Sequence, residues 1–199
     1  MSVSKYQIDN SKNALEEGKA KYHRRVVTGH TAGKSVFKSD EKLSPYRFSS
    51  VPGYEHALIW LNDGIPDLEH DQTLTGYPKS VVPGPGGTSF HIVTFPPDAV
   101  MATPSFDPQA ALQESLARLP GLADTFEPDG SGMHTTDTVD YAVVFAGKIS
   151  LELDDGQTVD LERGDVVVQN GTRHAWRNKG TEGAVLLFFL NGAKGAGAL

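Results

Sequence analysis

The chain has 199 residues, a formal net charge of −7 and a hydrophobic content of 38%, enough for one ordinary domain or a domain with an arm. The acidic balance, with no basic cluster beyond His23-Arg24-Arg25, argues against nucleic acid or an anionic membrane as a partner. Cysteine is absent, which removes disulfides and thiolate chemistry; no run approaches the ~20 apolar residues of a membrane span, and Met1–Gln7 lacks a signal-like apolar stretch, so a soluble cytoplasmic protein is expected.

Residues 1–22 are polar and read as an N-terminal arm, with Ala14-Leu15-Glu16-Glu17 as a short helix candidate. The stretch 23–104 reads as β strands that complete a barrel. Charged and β-branched residues alternate from His23 to Phe37, broken at Gly29 and Gly33, which predicts two short strands and a turn. His56–Leu61 is an apolar run of strand length ahead of the turn signal Asn62-Asp63-Gly64, and a polar loop follows around Asp67–Gly76. Pro83–Gly87 cannot be regular structure, because proline lacks a donor and glycine costs backbone entropy. Thr88–Phe95 alternates as a strand and stops at Pro96-Pro97.

Residues 105–127 form a helical connection. Asp107 caps, Pro108 occupies the first helical position, and Leu112, Leu116 and Leu119 recur at helical spacing until Pro120-Gly121. That leucine face is expected to pack on the barrel exterior. Residues 128–192 then supply about six short strands, with turns at Ala146-Gly147, Asp154-Asp155-Gly156, Arg163-Gly164-Asp165 and Asn170-Gly171. Val166–Gln169 looks buried, Ala184–Leu190 is apolar on both faces, and 193–199 is a flexible tail of small residues. A turn signal roughly every eight to twelve residues indicates a sandwich or barrel.

One constellation carries chemistry. His134, Thr136, Thr138 and Asp140 share one face of an extended strand, and Asp137, Val139 and Tyr141 take the other. His174 and Trp176 share a face further on. If they meet inside a barrel, the interior holds two imidazoles, a carboxylate, a hydroxyl and an indole, which suits a small, partly aromatic ligand. Two histidines and one carboxylate also suffice to hold a divalent ion.

The spacing resembles that of the cupin superfamily, whose two motifs read G-x5-H-x-H-x3-E-x6-G and G-x5-P-x-G-x2-H-x3-N. His134, Asp140 and Gly147 fall on the first; Gly164, Gly171, His174 and Asn178 fall on the second, whose spacer is one residue short. Thr136 stands in the second-histidine place, Pro128 in that of the opening glycine, and Gln169 nearest that of the motif proline. The resemblance implies an all-β jelly-roll barrel, with one helical excursion and an N-terminal arm, assembling as a homodimer; the very apolar strand 184–190, which would otherwise risk an exposed edge, points to the same assembly. It also implies small-molecule metabolism, such as oxygenation, decarboxylation or isomerisation of an organic acid, sugar or phenolic compound. In a metal-dependent enzyme His134, Asp140 and His174 would hold iron, manganese, nickel or zinc, with Thr136 and Trp176 beside the substrate. Asp140 is one methylene shorter than the family's glutamate and reaches about 1.5 Å less. In a metal-free dehydratase or cyclase, Asp140 and His174 would form an acid–base pair. A ligand-binding barrel without turnover is the third reading. No nucleotide cofactor is expected, since the glycine-rich 84–87 precedes a strand and not a helix. His23, His30, His56, His70 and His91 read as surface or hydrogen-bonded fillers, with His30 a candidate for a pocket mouth.

Overall fold

The computed structural model describes residues 22–68 and 76–195; the helix candidate at Ala14–Glu17, His70 and the end of the tail lie outside them. The largest sheet has six strands in the order β3-β4-β5-β11-β6-β9, formed by β3 (Tyr46–Arg47), β4 (Glu55–Asn62), β5 (Thr88–Phe95), β6 (Thr138–Ala146), β9 (Val166–Asn170) and β11 (Ala184–Gly192). Facing it is a three-stranded sheet, β10-β7-β8, of β7 (Lys148–Glu152), β8 (Thr158–Glu162) and β10 (Ala175–Arg177). The six strands β6–β11 fall where the turn signals place them, and β4 and β5 complete the larger sheet as expected. The hairpin β1 (His23–Thr31) and β2 (Lys34–Leu43) does not. It forms a two-stranded sheet of its own, tied to β4 through Arg25, whose guanidinium donates to the Ile59 carbonyl (2.9 Å).

Alternation sets the inward face. In β6, Thr138, Asp140, Ala142 and Val144 are buried while Tyr141 and Phe145 are exposed. The register aligns these with their neighbours in rows. Ser89, Leu190, Asp140 and Gln169 make one; Leu58, His91, Phe188, Ala142 and Val167 the next; Tyr46, His56, Val93, Leu186 and Val144 a third. Apolar members of these rows pack on Ile149, Leu151 and Leu161 of the smaller sheet, closing the core between the sheets.

Three expectations are corrected. β11 is paired on both sides, by β5 and β6, so its apolar faces pose no edge needing a partner subunit. β9 is instead an edge strand, as is β3 at the other end of the sheet, and Val166 and Val168 are more than half exposed, because consecutive valines must present alternate side chains to solvent when only one face is covered. The helix α1 (Pro108–Arg118), capped by Asp107 through the N–H groups of Gln109 and Ala110, turns its C-terminal end toward the interior. Leu119, just beyond it, is buried with Phe48, Val81 and Ala123, whereas Leu112 is exposed, so the leucine face does not lie along the barrel exterior. Gly147 is required at the β6–β7 turn: its φ is +79°, and a Cβ there would stand 2.8 Å from the Gly183 carbonyl.

Candidate active site

His134 and His174 meet across a single antiparallel bridge, each backbone N–H donating to the other's carbonyl at 3.0 Å. This brings the imidazoles to 4.2 Å between ring centroids. Each ring turns Nδ1 onto a carbonyl two residues back: His134 toward Gly132 (3.1 Å), His174 toward Thr172 (2.9 Å). A carbonyl only accepts, so both Nδ1 atoms carry the proton and both Nε2 atoms keep their lone pairs. Burial disfavours the charged form and lowers both pKa values, that of His174 to about 4 with the neighbouring His134 adding to the effect. At neutral pH the pair is uncharged.

Asp140 is treated the opposite way. Burial pushes its carboxyl up to about 6, partly opposed by a hydrogen bond from the Thr138 hydroxyl. Thr136 and Thr138 hydroxyls are 2.7 Å apart, so with Thr138 donating to the carboxylate, Thr136 donates to Thr138. Oδ1 of Asp140 has no hydrogen-bond partner. An unpaired buried carboxylate oxygen is costly, and the amide Nε2 of Gln169, directly opposite on β9, is likewise without a partner.

These side chains line one cavity of about 280 Å³, which includes His134, Thr136, Asp140, His174 and Trp176. All five residues singled out from the sequence are therefore brought to one place. Trp176 packs its ring edge-on against Phe188 at 5.4 Å, serving the wall and the core at once. Much of the remaining wall is apolar, from β5, β11 and the segment after α1. Two further histidines, His56 and His91, line the cavity as well and are buried and bonded to each other at 2.9 Å. They are hydrogen-bonded as expected of fillers, but they stand on the cavity wall, which local sequence pattern does not predict. His30 is exposed on β1 and is not part of the wall. Asn178, the last motif residue, is structural: its amide donates to the carbonyls of Phe95 (3.0 Å) and Glu182 (2.8 Å), fixing the chain between β10 and β11.

A family model described as the cupin domain matches residues 124–190. Over 151 residues the chain is 33% identical to "Phomopsin biosynthesis cluster protein D" of Diaporthe leptostromiformis, covering 71% of this chain and 75% of that protein. This protein is a cupin. It is also 32% identical over 159 residues to "Oryzines biosynthesis cluster protein J" of Aspergillus oryzae, covering 78% of this cupin and 74% of the relative. A shorter match, 40% over 48 residues and about a quarter of each chain, is to "Cupin-domain-containing oxidoreductase virC" of Hypocrea virens. The metal that the family implies can be weighed against the donors present. Two imidazoles with free Nε2 atoms and a carboxylate are suitable ligands in kind. Yet among the described residues no three His, Cys, Asp or Glu side chains come together as a group able to hold an ion. His134, Asp140 and His174 share the cavity without converging as a triad.

Proposed function

We propose that this cupin is an enzyme of small-molecule metabolism that relocates a proton on a small, largely apolar organic substrate, as in isomerisation, dehydration or cyclisation. The observation that carries this reading is the buried Asp140 carboxyl, raised to about 6 and left with an unpartnered oxygen in a mostly apolar cavity. A group titrating just below neutrality is poised to take a proton and return it. Ionised Asp140 accepts a proton from an acidic C–H or O–H of the substrate, and the resulting acid delivers it to a different atom of the same molecule. Atoms and charge balance without a co-reactant. The Nε2 atoms of His134 and His174 accept hydrogen bonds from substrate hydroxyl or amine groups and so orient it. The apolar wall favours a phenolic or similar carbon skeleton over a sugar. The names of two relatives, each from a biosynthesis cluster, support small-molecule metabolism in general.

A second reading, a metal-dependent oxidoreductase, is favoured by one observation. Both imidazoles are held by Nδ1–H bonds to carbonyls, the orientation a ligating histidine adopts, and one relative is named an oxidoreductase. Elemental analysis of protein purified without chelator, paired with His174→Ala, separates the two. Proton transfer expects no stoichiometric metal and an Asp140 titration near pH 6; an equimolar transition metal lost in His174→Ala replaces it with the second reading.

A further inference from the structure

The cavity carries a second set of buried ionisable side chains that proton transfer at Asp140 does not use. His56 Nε2 lies 2.9 Å from His91 Nδ1, and His91 Nε2 lies 2.7 Å from the Ser89 hydroxyl, with all three residues buried. Two ring nitrogens at that separation need one proton between them, so the chain has a direction. Either Ser89 donates to His91 and His91 to His56, or His56 donates to His91 and His91 to Ser89. Both nitrogens of His91 are occupied in each arrangement, as is one of His56. The remaining nitrogen, Nδ1 of His56, is a donor in the first arrangement and an acceptor in the second. A polar chain of this kind is expensive to bury for packing alone, since an apolar pair of similar volume would fill the space without desolvation.

Its placement is as informative as its chemistry. β5 and β11 separate β4 from β6, and His56 stands two rows from Asp140 in the sheet. Three strand spacings across and four residues along come to about 14 Å each way in a flat sheet, an upper limit that the curl of the sheet and the inward reach of both side chains shorten. Val93, Phe188 and Leu190, all on the cavity wall, occupy the ground between them. Between His56 and Asp140 the wall thus carries a run of apolar side chains, with His91 as the polar neighbour on β5.

We propose that His56, held in place by His91 and Ser89, is a second anchor of the cavity and hydrogen-bonds an oxygen at the far end of an elongated aromatic substrate whose other end meets Asp140. This rests on the placement of the reaction at Asp140 and adds the substrate's class: a rigid apolar core with an oxygen function at each end. His56 touches the substrate; His91 is a positioning residue that fixes which nitrogen of His56 is protonated. A hydroxyl, which both donates and accepts, suits His56 Nδ1 whichever way the Ser89–His91–His56 chain runs.

The test uses 4,4′-dihydroxybiphenyl and its single-oxygen analogue 4-hydroxybiphenyl as probes, titrated into the full chain carrying 15N-labelled histidine. The diol is expected to bind about tenfold more tightly than the mono-ol, the worth of one added hydrogen bond, and to shift the ring-nitrogen resonances of His56. In His56→Phe the two probes bind equally, while His56→Gln, which keeps a hydrogen-bonding side chain, retains a severalfold preference. His91→Phe loses the fixed-tautomer signature of His56 and part of the preference, and His91→Gln restores some of each. The proposal is overturned if the wild-type chain binds neither probe, binds both equally, or keeps its preference in His56→Phe. If preference survives in His56→Phe while Asp140 still titrates near pH 6, the second anchor fails and the proton-transfer reading stands. An Asp140 that titrates near its ordinary value, with preference lost in His56→Phe, gives the reverse.

Discussion

Two carboxylates in this molecule receive opposite treatment. Glu114, on α1, accepts from the backbone N–H of Ser49 and Ser50, from both their hydroxyls and from the Tyr46 hydroxyl. Its burial alone would raise its pKa, but this ring of donors outweighs that and brings it down to about 2. Asp140 keeps one neighbouring hydroxyl and an oxygen with no partner, and rises to about 6. A carboxylate surrounded by donors is a fastener: it pins the 49–50 loop to the helix and stays ionised at any working pH. One deprived of donors is unstable as an anion and therefore reactive. The contrast separates an acid that fastens the fold from the one for which proton transfer is proposed.

The largest effect expected from breaking this contrast is on turnover. Asp140→Asn removes the titrating group and should lower kcat/KM by about 10²–10⁴, while raising folding stability at pH 7–8 by about 1–3 kcal/mol. The sign follows from the raised pKa. Asp140 favours the fold fully below its unfolded value of about 3.8 and withdraws that contribution as pH rises through about 6. The stability gain of the variant should thus vanish below about pH 4, and denaturant melts across that range check it. Glu114→Gln is expected to do the reverse, costing about 1–3 kcal/mol in the same melts and leaving the Asp140 titration where it was. The histidines supply a third effect. His56 and His174 have pKa values lowered to about 4 by burial, so their contribution is full above the unfolded value of 6.5 and fades as pH falls through about 4. Wild-type stability should decline between pH 6.5 and 4, less steeply in His174→Gln. The smallest effect is Thr138→Val, which removes the one donor to Asp140 and should raise its carboxyl titration, read by 13C NMR, by less than one pH unit.

Much of this was legible in the residues. From Thr138 onward, glycine and Asp-Gly turns punctuate every strand, and a period of two sends Thr136, Thr138 and Asp140 inward and Asp137 and Tyr141 outward, as found. What escaped was relational. His56 and His91 lie 35 residues apart with no motif between them, and their contact depends on the β4–β5 register, which local pattern does not encode. Whether an apolar strand is central or marginal is equally nonlocal: Ala184–Leu190 and Val166–Gln169 look alike by composition, yet β11 has neighbours on both sides and β9 on one. The unpartnered oxygen of Asp140 could not be foreseen, because it is defined by what fails to approach it.

The central place of β11 also governs how the molecule comes together in time. Asn191 pairs with Thr88 and Ala184 with Phe95, contacts that span about a hundred residues of chain. Closing so large a loop is slow, and until it happens β5 displays a bare row of amides and carbonyls beside an apolar face. During that interval the half-built sheet is most exposed to misassociation, so refolding yield should fall with protein concentration well before the finished fold shows any instability.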